Sequence, residues 1–355
     1  MAVSQRPQMT SAERMGALFS GKQPDRVPFN PFAFGFCART VGCSITEVYS
    51  NPRKSFEAQL MTKEMYGYDS NPVYAYASQG GWELGGEIQF PKGQYSQAPV
   101  VSRLPINSIE DIDRLEIGDV SQAGAVPLMM ELATLQKEHG MGVTVQCDTP
   151  FKMAVNAMEW SKMARLMLKE PAYAHLYLRK TTAFCVKLVE LWVSVFGAER
   201  VMCTGGAPTE SNVLISPKQF ETFSLPYIIE LHEKAFAMGI KRFSEHVCGE
   251  HNLNLEYWKQ VPMGDHGIMS FGHEVDLDKA KKMFGEKCII AGNMEPARLQ
   301  LSTPAEVYEL CKQTILKGKD APLGYIFMPG CELAPDTPPY NVYVMKKALE
   351  DFGYY

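Results

Sequence analysis

His246-Val247-Cys248-Gly249 and the distant Pro329-Gly330-Cys331 are the residues of this chain best suited to chemistry. Residues two apart on a strand point to the same face, so one strand end would present the His246 imidazole and the Cys248 thiol together. Cys331, at the end of another strand, would complete a three-ligand set for zinc. Three protein ligands with one open position is the pattern of a catalytic zinc site rather than a structural one. Both cysteines adjoin glycine, which leaves backbone room around an ion. A neutral imidazole and two thiolates around Zn²⁺ sum to zero charge, and such a site can polarise an oxygen or hold a substrate thiol as thiolate.

Those ligands can meet only if strand ends are gathered at one place. Short β-like runs alternate with amphipathic helical stretches, the pattern of a parallel sheet or barrel. The expected strands are 27–32, 73–77, 143–147, 201–204, 242–246, 267–271, 288–291 and 325–328. Eight of them fit an α/β fold of the (β/α)8 TIM-barrel type, as one domain over residues 1–355 with an N-terminal helical cap. The glycine-marked segment from Trp82 to Leu104 reads as an inserted β-hairpin. Thr303-Pro304-Ala305-Glu306 is a capping box with proline at the first helical position, Ser216-Pro217 opens another helix, and Asp336-Thr337-Pro338-Pro339 precedes the last.

Active sites of such barrels form at the C-terminal ends of the strands. The polar residues there are Asn30, Asp148, Glu210, Glu245, His246, Cys248, His266, His273, Asn293 and Cys331. Five of the seven histidines fall between residues 232 and 273. Asp148, Glu245 and His266 are the candidates for orienting a substrate or moving a proton. Phe29, Phe32, Phe34 and Phe36 either offer ring faces for stacking or line the barrel interior. Asn30, Phe34, Phe36 and His273 are the substrate-binding candidates.

Composition narrows the function classes. The 355 residues are 46% hydrophobic and 21% charged, with a net charge of −5 and a pI near 5.9. No basic run suggests nucleic acid, and no apolar stretch approaches the ~20 residues of a membrane span. Met1 to Pro24 lacks the apolar core of a signal peptide, so a cytoplasmic location is expected. Nine cysteines without a secretory signal favour reduced thiols, and Cys185, Cys288 and Cys311 sit in apolar runs as core residues.

The chain resembles the uroporphyrinogen decarboxylase superfamily, and within it the corrinoid-dependent zinc methyltransferases. The resemblance runs through Glu13-Arg14, Pro24-Asp25-Arg26-Val27-Pro28, Ser216-Pro217 with Leu225-Pro226-Tyr227, His246-Val247-Cys248-Gly249, Gly292-Asn293-Met294-Glu295-Pro296, and Gly330-Cys331 with Asp336-Thr337-Pro338-Pro339-Tyr340-Asn341-Val342. It implies a (β/α)8 barrel and zinc ligands at His246, Cys248 and Cys331. The decarboxylase branch meets its porphyrin carboxylates with an arginine pair in an R-Q-A-G-R stretch. Here residues 30–39 keep one arginine, Arg39, among aromatics, so a polyanionic substrate would lack counter-charge.

Two methyltransferase subclasses remain. One moves methyl from methylcobamide to a thiol of the coenzyme M type, and no arginine cluster is evident here for such a substrate's anionic tail. The other takes methyl from aromatic methyl ethers to cob(I)alamin on a separate corrinoid protein. The ether-cleaving branch is associated with Glu, then Glu fifteen residues on, then His twenty-one further, which Glu230, Glu245 and His266 reproduce. Glu245 and His246 point to opposite sides of a regular strand, so the two ligand sets cannot share one simple site. His246, Cys248 and Cys331 are the preferred ligands, with Glu245 or His266 as a fourth ligand, an orienting group or a proton donor. The expected activity is methyl transfer from a small aromatic methyl ether to cob(I)alamin. No D-x-H-x-x-G pattern is present, so the cobalamin would arrive on a partner corrinoid protein; a homodimer is allowed for.

Overall fold

The computed structural model describes residues 9–92 and 98–355. The turn of the expected hairpin, residues 93–97, and the start of the chain, residues 1–8, lie outside them. Strands β1 (Glu87–Gln89) and β2 (Val100–Arg103) pair antiparallel, as the hairpin reading requires. Six parallel strands follow in chain order: β3 (Val143–Gln146), β4 (Val201–Gly206), β5 (Phe243–Val247), β6 (Gly267–Phe271), β7 (Cys288–Met294) and β8 (Tyr325–Pro329). Helices connect successive strands, including Pro150–Met158 after β3, Leu225–Ala237 before β5 and Pro304–Gly318 before β8. Such βα repetition buries both faces of the sheet, and β6 and β8 are buried along their whole length.

The two N-terminal strands expected at 27–32 and 73–77 do not form ladders. Pro28 and Pro31 lack N–H donors, which limits regular pairing. The segment still docks on β8: Asn30 N donates to Phe327 O at 3.0 Å and Phe327 N to Pro28 O at 2.9 Å. At the opposite edge, side chains replace a ladder. Tyr76 N donates to Gln146 Oε1 (2.9 Å), Gln146 Nε2 to Tyr76 O (3.2 Å), and Gln79 Nε2 to Gln146 O (3.0 Å). The barrel positions are occupied, but two of them by extended chain rather than by strands.

Helices Ser11–Phe19, Gly35–Val41, Ile45–Ser50 and Pro52–Tyr66 form the N-terminal cap. A buried ion-pair net anchors it: Arg14 holds Asp25 and Asp69 (2.6 Å each), and Arg26 holds Asp69 (3.0 Å). The capping boxes at Thr303 and Ser216 are present as expected. Among the described residues no helix is long and apolar enough to cross a membrane.

Candidate metal centre

Strand β5 pairs on either side so that His246 lies opposite Gly206 of β4 and Ser270 of β6. Cys248 is the first residue after Val247, the last of β5, and Cys331 follows β8 by two. Two strands intervene between β5 and β8, so only the curvature of the sheet brings these thiols together. Cys248 Sγ and Cys331 Sγ are 3.6 Å apart, and with a His246 ring nitrogen they form a group whose ligand atoms all lie within 4.8 Å. Zn–S bonds of about 2.3 Å at a tetrahedral angle imply a sulfur–sulfur separation of about 3.8 Å. The spacing therefore suits a shared ion, and it is far too long for a disulfide.

Two further observations bear on the fit. His246 Nδ1 lies 2.8 Å from Ser270 Oγ, while the buried Nε2 has no hydrogen-bond partner among the described residues. Such an orphan is what a metal ligand looks like without its ion. The two thiols shift each other in opposite directions. Cys331 is held down, first by the Cys248 hydrogen bond and then by His246, against the upward pull of burial. Cys248 is correspondingly pushed up by Cys331, by burial and by the nearby charge of Glu274. The donor set of one imidazole and two sulfurs fits zinc.

The two glycines do different work. Gly249 has φ +86°, a left-handed turn directly after Cys248. Gly330 serves close approach, since a Cβ there would lie 2.7 Å from His273 N. The buried His251 ties down the same loop: Nε2 lies 3.1 Å from Cys248 O and 3.0 Å from Ala207 O, and Nδ1 accepts from Trp258 Nε1 at 3.2 Å. Burial holds this imidazole down at about 4, so it is neutral near pH 7.

Several expected site residues lie elsewhere. His266 precedes β6, with its ring against Gly21, at the N-terminal end of the sheet. About 16 Å of strand separates it from the end of β6 that faces the thiols. Glu230 lies on the outer helix Leu225–Ala237 and accepts from Lys234 at 2.6 Å. Glu245 is buried but faces away from His246, toward His232 Nε2 at 3.3 Å. The Glu230, Glu245, His266 series is thus not one ligand set, because sequence spacing ignores which strand end and which face a residue occupies. Phe36 is a core residue packed on Tyr66, not a substrate wall. Asn30 uses Oδ1 to accept Phe32 N, closing a local turn.

Others stay near the site. Phe34 packs edge-on against Phe32 (5.9 Å), and Phe32 packs edge-on against His246 (5.6 Å). His273 is exposed on the loop after β6, with Nδ1 3.5 Å from Glu274 Oε2. Asp148 is buried at the end of β3, accepting from Gly206 N (2.9 Å) and Gln146 Nε2 (3.0 Å) and paired with Lys152. Sequence reasoning passed over Ser270, Lys152, His251 and Glu274. Alternation along β6 could have found Ser270, the residue across from His246.

The family model for "Uroporphyrinogen decarboxylase (URO-D)" matches residues 10–352. A uroporphyrinogen decarboxylase of Campylobacter lari is 24% identical, over 84% of this chain and 85% of that protein. The "Methylcobamide:CoM methyltransferase MtaA" of Methanosarcina barkeri is 23% identical, over 97% of this chain and 99% of the relative. The solved structure of a methyltransferase from Methanosarcina mazei superposes with a TM-score of 0.82, at 20% identity and covering 97% and 99% of the two chains. That likeness places the six-stranded sheet and its helices in the TIM-barrel class.

Proposed function

We propose, for a chain that belongs to the uroporphyrinogen decarboxylase family, a corrinoid-dependent methyltransferase whose zinc is held by His246, Cys248 and Cys331. The convergence of these ligand atoms within 4.8 Å carries the reading. Its coarser part, a corrinoid-dependent methyltransferase, is supported by the near full-length similarity to the relative named as a methylcobamide:CoM methyltransferase. The methyl donor in this reading is a small aromatic methyl ether, and the acceptor is cob(I)alamin on a partner corrinoid protein. Zinc at this site would supply a Lewis acid for the ether oxygen, whose leaving phenolate is otherwise poor.

The chain's own residues supply the rest. Ser270 fixes the His246 ring, and His251 fixes the Cys248 carbonyl. Phe32, edge-on to His246, provides an apolar wall where an aromatic ring can stack. Asp148, buried and paired with Lys152, fixes a polar group at the ends of β3 and β4.

Porphyrin decarboxylation, the activity in the name of the C. lari relative, finds less support. Arg39 is the one arginine in its stretch, and it is ion-paired with Asp336. The deciding experiment incubates the full chain, after metal analysis, with 2-methoxyphenol and protein-bound cob(I)alamin. About one zinc per chain and the methylcobalamin spectrum are expected. Methyl transfer from methylcobalamin to a thiol, without ether cleavage, would favour the thiol subclass.

A further inference from the structure

Lys152 lies on the first turn of the helix after β3 and is 4% exposed. Among the described residues the acceptor for its ammonium is Asp148 alone. An ammonium carries three N–H donors, so two are left without protein partners in a buried setting. Buried donors are seldom left unmade, because each costs free energy. Asp148 cannot swing away to serve others, since Gly206 N and Gln146 Nε2 pin both its oxygens. The ammonium therefore has a fixed position at the C-terminal ends of β3 and β4.

That position lies at the same strand ends as the candidate metal centre. Gly206, whose N–H binds Asp148, pairs with His246 in the β4–β5 ladder. The Lys152 charge is also felt at Cys248, Glu210 and Glu245. Phe32 supplies the apolar surface beside His246. A flat ring held by Phe32 with its ether oxygen toward the cysteines would need a polar partner for any substituent on the far side.

Resting on the aryl-ether reading, we infer that Lys152 is a substrate-specificity residue that selects methoxyarenes carrying a free hydroxyl or carboxylate. Its unused N–H groups donate to that oxygen, and Asp148 holds the ammonium in place. An ionised donor makes a charge-assisted hydrogen bond to a hydroxyl or carboxylate oxygen, whereas a second methoxy group offers a weaker and more crowded acceptor.

Calorimetric titration of the zinc-loaded full chain with 2-methoxyphenol and with 1,2-dimethoxybenzene tests this. The wild type is expected to bind the phenol about tenfold or more tightly than the diether. K152M should abolish that preference while leaving the diether affinity and the zinc content unchanged. Because K152M leaves Asp148 buried without its cation, D148N/K152M is measured beside it, with thermal unfolding confirming that the variant tested is folded. A preference that survives in the folded variant, or equal loss for both rings, overturns the inference. A wild type that binds both rings alike sinks the inference but not the ether reading; one that binds neither sinks both.

Discussion

The Nδ1 atom of His246 lies 2.8 Å from Ser270 Oγ, across the β5–β6 ladder. With Nδ1–H donating to the hydroxyl, Nε2 keeps its lone pair and faces the two cysteines. A ligand's orienting partner commonly matters by 10–100-fold in metal affinity. S270A should weaken zinc binding by about that factor in a chelator competition, and S270T should restore part of it. An unchanged zinc affinity in a folded S270A would show that the ring needs no such anchor.

Removing a sulfur should have a larger effect. C331A leaves two protein ligands, and structural or catalytic zinc is rarely held by so few. Zinc measured after dialysis should fall from about one per chain to well below half. Methyl transfer should disappear with it, while far-UV circular dichroism stays unchanged because Cys331 is a loop residue after β8.

Gly330 is intolerant of a side chain for a reason of space. A Cβ there would stand 2.7 Å from His273 N and 3.2 Å from Gly272 C, both backbone atoms that cannot rotate away. G330A should cost roughly 1–3 kcal/mol in denaturant unfolding, as overpacking does. It should also loosen zinc, because the loop that must shift carries Cys331.

Glu210 is fully buried and bonded by the hydroxyls of Thr149, Thr209 and Ser224. Burial pushes its carboxyl up to about 7 from the usual 4.5. The folded chain then binds a proton that the unfolded chain releases between these values. Stability contributed by the protonated acid is complete below about 4.5, declines as pH rises, and is lost above about 7. The full swing is on the order of 3 kcal/mol. E210Q should flatten this slope, so the stability difference between variant and wild type, followed by urea unfolding from pH 5 to 8, should move in the variant's favour as pH rises. A pH-independent difference would contradict it.

The six laddered strands were legible because each is a short β-branched or aromatic run bounded by helix signals. Residues 27–32 and 73–77 carry similar apolar patterns, but prolines and side-chain amides such as Gln146 decide there whether a ladder forms. The His246, Cys248 and Cys331 set could be read from the period of two along a strand and from glycines at strand ends. The Glu230, Glu245, His266 spacing was equally visible and equally exact as a pattern, yet its members sit on an outer helix, behind β5 and at the far end of β6. The expected strand at 267–271 already put His266 at an N-terminal end, whereas the face of Glu245 and the outer place of Glu230 needed the fold.

The sequence by itself determined the order of strands and helices and the chemical identity of the ligands, because hydrophobic period and residue type are local properties. Only the tertiary structure decided that Cys248 and Cys331, 83 residues apart, share a site, that Ser270 orients His246 and that Lys152 is buried beside Asp148. These relations depend on sheet curvature and on parallel register between strands, which arise when the whole core packs.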